Sequence, residues 1–215
     1  MTLCIKNGLI HDAVHEEAYI ADILVENGKI KAIGQQLSGD EIVDASGLQI
    51  WPGFVEAHCH TGLDGFGTGP VGKDYNEMND ICSPQLRAID ALDPFDRTFE
   101  LARNAGVTTV CTGPGSANVL GGTFTAVKTV GKRVERMIVK AEVAMKCAFG
   151  ENPKRVYNSK TDSCRMTTAA ILRDALSKAR RYAEKLDAAG DDSKSNPLEY
   201  VAPNSLPSSS LKILF

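Results

Sequence analysis

Two histidines one residue apart, His58 and His60, are the side chains best placed to do chemistry. They close the run Phe54-Val55-Glu56-Ala57-His58-Cys59-His60, which reads as a short and largely buried strand. Side chains alternate faces along a strand, so both imidazoles project to one side and Cys59 to the other. Two imidazoles on one face can chelate a single divalent ion. The ordinary alternative is a pair of core histidines satisfied by hydrogen bonds.

A third ligand has two candidates. Glu151 follows the strand-like stretch Glu142 to Phe149, and its Gly-Glu-Asn-Pro setting suits a turn; its plain reading is a rim carboxylate capping local backbone. Lys146 lies inside the same stretch, and its plain reading is a paired or snorkelling lysine. Glu151 is the preferred choice, expected nearer the histidines than Lys146, so the expected metal set is His58, His60 and Glu151. His11 and His15 have the i, i+4 spacing that binds metal on a helix, but they stand in a hairpin region beside Glu16 and Glu17 and read as a solvated loop. Gly113-Pro114-Gly115-Ser116 lacks the spacing of a phosphate-binding loop and reads as a tight loop at the rim of a site. Cys59 and Cys111 read as small apolar fillers, and Lys178, Arg180, Arg181 and Lys185 as the solvated face of an amphipathic helix.

The elements that must carry these residues fall into three stretches. Residues 1–50 read as a small β domain, with Asn7-Gly8 and Asn27-Gly28 as hairpin turns, a strand near Glu41 to Asp44, and a turn at Ala45-Ser46-Gly47. Residues 51–190 change period. After the histidine strand comes a helix from Asp93 to Ala105, with Asp93 as N-cap, Pro94 in the first turn and Gly106 just past the end, then a strand from Val107 to Thr112. Met137 to Phe149 supplies another strand, and Thr167 to Ala189 a long amphipathic helix stopped at Gly190. Strand, helix, strand within some fifty residues is a βα crossover pattern, with about three repeats in all. Residues 191–215, rich in Ser, Pro and Asn, read as an irregular or disordered tail.

Composition narrows the function classes. Of 215 residues, 24 are Lys or Arg and 27 Asp or Glu, a net charge of −3 that excludes recruitment to nucleic acid by bulk charge. The uncharged stretch Val107 to Val127 is long enough to span a bilayer, but five glycines and prolines among its threonines make it a poor membrane helix. Six cysteines without a CxxC pair suit a reduced, cytoplasmic protein. The expected partner is a small-molecule substrate, with no nucleic acid, no membrane, and a possible homo-oligomer.

Ile23 to Gly34, Val43-Asp44-Ala45-Ser46-Gly47 and Pro52-Gly53-Phe54-Val55-Glu56-Ala57-His58-Cys59-His60 together resemble the opening of the amidohydrolase superfamily. Ala88 to Ala91, Gly106 to Val110, Gly113 to Asn118 and Gly150 to Arg155 resemble its imidazolonepropionase-related members, and Lys146 resembles the position of a carboxylated lysine in hydantoinase-like ones. The resemblance covers about residues 1–190. It implies an α/β fold: a partial TIM-like (β/α) barrel preceded by a small β-sandwich-type domain. It also implies a divalent metal, commonly zinc, held by the His-x-His pair, a mid-chain carboxylate or carboxylated lysine, two later histidines and an aspartate acting as general base. Such an ion lowers the pKa of bound water towards ~7 and polarises a scissile carbonyl, so the implied activity is hydrolysis of a C–N bond in a cyclic amide, amidine or small peptide-like substrate, with metal-bound water as nucleophile. No histidine follows His60, and the chain is short of the ~250 residues of a whole barrel. The alternative is therefore an inactive, truncated or frame-shifted fragment lacking the distal ligands.

Overall fold

The computed structural model describes residues 1–161, 163–189, 213 and 214, and the chain divides into two compact units, Met1–Phe54 and Val55–Phe215.

The first unit is a five-stranded sheet. Strands β1 (Thr2–Ile10), β2 (Tyr19–Glu26), β3 (Lys29–Gly34) and β4 (Glu41–Asp44) run in the order β3-β2-β1-β4, and β5 (Gln49–Ile50) also pairs with β1. The β2–β3 hairpin turns at Asn27-Gly28, both residues at positive φ (53° and 72°), as a type I′ turn demands. Asn7-Gly8 behaves differently. The expected hairpin there is absent: β1 runs straight through, and the dipeptide forms a bulge in its pairing with β2, with Asn7 at φ 60°. The cause lies across the sheet. Buried Asp22 accepts hydrogen bonds from the Asn7 amide (2.9 Å) and the Leu37 amide (3.0 Å), which draws the Asn7 N–H out of the ladder. Ile10, Ala21 and Ile23 form the core, with Ile5, Val25 and Ile50 packed against them.

The second unit is a mixed α/β layer. Its sheet follows the order β10-β9-β8-β7-β6, from β6 (Phe54–Cys59), β7 (Val107–Thr112), β8 (Leu120–Lys128), β9 (Ile138–Cys147) and β10 (Ile213–Leu214). One helix, α1 (Arg97–Asn104), connects β6 to β7 in the expected βα manner. Its N-cap is Asp96, whose Oδ1 accepts from the Thr98 amide at 2.8 Å; Asp93, the expected cap, instead ties a turn by accepting from the Phe95 amide. Gly106 follows the helix at φ 85°, as read from the sequence.

Beyond β7 the layout departs from the βα pattern. β8, unforeseen as a strand, pairs antiparallel with both β7 and β9, and the connections are loops and the four-residue helix α2 (Val134–Met137). Antiparallel neighbours need no helical crossover, so the described residues form a mixed sheet in which a barrel is not displayed. β8 was hidden because Gly121 and Gly122 interrupt its apolar pattern; among the described residues the strand is nonetheless almost wholly buried. Helices α3 (Glu151–Thr161) and α4 (Arg165–Ala189) follow β9. Leu172, Ala175, Leu176 and Ala179 of α4 pack on Leu120, Met145 and Cys147, and a larger cluster around Leu63, Leu92, Phe99, Val110 and Val127 supports β6. Of the expected tail, residues 191–212 and 215 lie outside the described residues, as does Gly190, while Ile213 and Leu214 pair parallel with β9. No helix among the described residues is long and apolar enough to cross a membrane.

Candidate metal centre

β6 delivers both histidines to one side at its C-terminal end, with ring centroids 5.9 Å apart and planes near perpendicular. Strand alternation is the reason, and it sends the Cys59 thiol the other way, towards the Cys111 carbonyl at 3.6 Å.

The two imidazoles have different second partners. His60 Nδ1 lies 2.7 Å from the Gly113 carbonyl oxygen. A carbonyl can only accept, so Nδ1 carries the proton and neutral His60 keeps its lone pair on Nε2. The ring also stacks on Tyr75, centroids 4.9 Å apart and planes 14° from parallel. His58 meets the edge of buried Phe124 at 5.1 Å, and its Nε2 lies 3.4 Å from Lys146 Nζ. Partial desolvation, followed by the neighbouring Lys146 and His60, holds His58 below its ordinary basicity.

Lys146 is 4% exposed, which lowers the pKa of its ammonium because burial penalises the charged form. It belongs to the last turn of pleat in β9 and therefore reaches inward. Glu151 begins α3, exposed, and its carboxylate pairs with Lys154 at 3.3 Å. The group that contacts His58 is thus Lys146, while Glu151, the residue preferred from the sequence, lines the same cavity without a contact to either imidazole. The Gly-Glu-Asn-Pro segment opens a helix instead of forming an isolated turn, and that directs Glu151 to the rim. Both residues line one cavity of about 590 Å³ with His58, Ser116, Cys147 and Phe149.

Gly113 connects the pieces. Its carbonyl holds His60, and a Cβ there would stand 2.4 Å from the Phe124 ring that supports His58. The rim loop expected at Gly113 to Ser116 is therefore part of the centre, through its backbone. His11 and His15 are elsewhere, in the first unit: His11 stacks on Trp51 at 3.7 Å, and His15 Nδ1 pairs with Asp12 at 2.8 Å.

As a donor set, two imidazoles and a lysine suit a divalent ion once the neutral amine has added CO₂, with loss of one proton, to become an anionic carbamate. Among the described residues no three His, Cys, Asp or Glu side chains converge as a cage on their own. Tyr75 and Phe124 escaped sequence reasoning, and no periodicity or motif marks either.

Comparison with known proteins places this geometry. An amidohydrolase from Thermotoga maritima MSB8 superposes with a TM-score of 0.81 at 40% identity, over 87% of this chain and 50% of that one. The amidohydrolase tasK of Hapsidospora irregularis is 32% identical over 206 residues, 85% of this chain and 21% of that protein. The chain belongs to the amidohydrolase superfamily. D-hydantoinase of Geobacillus stearothermophilus is 42% identical over 85 residues, which is 39% of this chain and 17% of that protein. The chain spans half or less of the length of each of these relatives. No family model matches it.

Proposed function

We propose that this chain carries metal-binding residues of a site that hydrolyses C–N bonds in cyclic amides, hydantoin-like rings being the first class to test. The observation that carries the reading is the convergence of His58, His60 and Lys146 at the end of β6, in a family one of whose members here is named for hydantoin. His58 and His60 would hold a divalent ion, commonly zinc, together with Lys146 as its carboxylated form; such an ion supplies Lewis acidity towards a scissile carbonyl and acidifies a water molecule.

The chain's own residues do the rest. Gly113 fixes the His60 tautomer so that Nε2 keeps its lone pair for an ion. Burial favours the neutral amine of Lys146, the form that can add to CO₂ to become a carbamate with loss of one proton. Glu151 and Ser116 stand on the wall of the same cavity, where they meet an entering ring. The 3.4 Å contact of Lys146 with His58, its burial, and the resemblance to hydantoinase-like members at this position support Lys146 over Glu151 as the third donor.

The test is to purify the protein, load it with Zn²⁺ in bicarbonate buffer, and follow hydantoin and dihydropyrimidine opening beside His60→Ala, Lys146→Ala and Glu151→Gln. The reading expects metal-dependent opening, lost in the first two variants and retained in the third. Turnover that survives His60→Ala, or is independent of metal, would overturn it.

A further inference from the structure

We infer that Tyr75 is a positioning residue for His60, setting the plane of its imidazole; the consequence for metal binding rests on the reading above. A single hydrogen bond leaves a ring one freedom. The Gly113 carbonyl, 2.7 Å from Nδ1, fixes the direction of the N–H bond but permits rotation about it, which would swing Nε2. Stacking removes that freedom: with the Tyr75 ring 4.9 Å away and 14° from parallel, rotation would drive the imidazole edge into the tyrosine face.

The restraint is useful only if Tyr75 is itself held, and it is held to the loop that supplies the acceptor. The Tyr75 carbonyl accepts from the Gly115 amide at 2.6 Å, and the Asn76 side-chain oxygen accepts from the Ala117 amide at 3.2 Å. Any side chain on Gly115 would collide with both, since a Cβ there would stand 2.4 Å from Asn76 Oδ1 and 2.7 Å from the Tyr75 ring. Just downstream, buried Asn118 donates to the Glu77 and Asp80 carbonyls at 3.0 and 2.8 Å. Acceptor and stacking partner therefore belong to one rigid frame, the loop 113–118 laced to 75–80. Tyr75 packs against the cluster around Leu63 and Ala88 and also borders a separate cavity of about 320 Å³ beside Leu63, Ala88 and Pro114, so shortening it removes a core contact and widens an existing space.

The experiment compares the full chain with Tyr75→Phe, which keeps the stack, and Tyr75→Leu, which does not. In the metal-free protein the ring proton Hε1 of His60 is followed by NMR, with His60→Gln for assignment; Co²⁺ titration is followed by visible absorbance. Tyr75→Leu is expected to move Hε1 downfield, because the shielding ring current is gone, and to weaken Co²⁺ binding about 10-fold, the scale of losing a group that orients a ligand. Tyr75→Phe is expected to stay within about twofold of the parent in affinity, with Hε1 unmoved. Should Tyr75→Leu fail to fold, Tyr75→Met, longer and unable to stack, takes its place. An unmoved Hε1 in the leucine or methionine variant would overturn the inference, as would a phenylalanine variant equally impaired. If the parent binds no Co²⁺, the metal reading fails, and the Hε1 comparison still decides the role of Tyr75.

Discussion

Each unit of this protein holds a close pair of histidines, and the two pairs are built for different ends. His11 and His15 surround Asp12, whose carboxylate accepts from the Val14 and His15 amides, from His15 Nδ1 and from the Tyr19 hydroxyl. Every bond to that carboxylate is local, spanning at most seven residues, and the carboxylate is saturated, while the His11 ring meets Gln49 and Trp51 of the same unit. His58 and His60 meet partners from far along the chain: Gly113, Phe124 and Lys146. The first pair stabilises a loop. The second is oriented by groups that leave Nε2 of His60 uncommitted. Spacing alone, i, i+4 against i, i+2, does not separate these roles; what the second nitrogen and the ring faces touch does.

The largest expected effect tests that separation directly. Co²⁺ or Zn²⁺ titration should show His60→Ala weakening binding at least about 100-fold, the loss of a whole ligand, while His11→Ala leaves the affinity unchanged. Equal effects would mean the pairs do not differ in this way. Next comes the frame. Gly113→Ala puts a Cβ 2.4 Å from the Phe124 ring and should cost about 1–3 kcal/mol in urea denaturation of the second unit, as overpacking does. Gly28→Ala in the first unit meets nothing within 4 Å and should cost only the left-handed backbone penalty at φ 72°, about 1 kcal/mol.

Acid provides a smaller contrast. Hydrogen bonds from the His15 and Val14 amides hold the Asp12 carboxyl well below its ordinary 3.8. A carboxylate with a depressed folded pKa contributes stability that is present above the unfolded value and lost as pH falls through the folded one. Amide exchange at Val14 and His15 should therefore stay slow at pH 4, accelerate only well below the usual carboxylate range, and be fast at all pH in Asp12→Asn. The smallest effect is optical. Trp51, the one tryptophan, stacks on His11 with planes 4° apart, so His11→Ala should raise its fluorescence modestly and His60→Ala should not.

Local chemistry in the sequence went far where one residue decides its own backbone. Asn27-Gly28 made its turn, Gly106 ended its helix, and β6 put two histidines on one side. The same reasoning failed where a distant group decides. Asn7-Gly8 has the same composition as the true turn, yet Asp22, fifteen residues on, turns it into a bulge. Asp93 and Asp96 are both good caps, and the choice between them follows from where Phe99 can be buried. Lys146 read as a paired or snorkelling lysine because its burial is a property of the sheet, visible only once β8 is seen to lie between β7 and β9.

The lacing of Asn118 and Tyr157 also has a bearing on how the chain folds. Tyr157, whose hydroxyl burial pushes up to about 12, bonds the Glu77 and Asp80 carbonyls, contacts that close segments of 80 and 77 residues, and Asn118 ties the same carbonyls across 41 and 38. Loop closure of that length brings no reward until both ends are already ordered, so such contacts form late. The hairpin between β7 and β8 can assemble from neighbours within microseconds, whereas the segment bearing Tyr75 must wait for α3. The strand that presents the histidines reaches Cys111 and Gly113 across 52 and 53 residues, so it and the ring that steadies one of them both join a hairpin that is already formed.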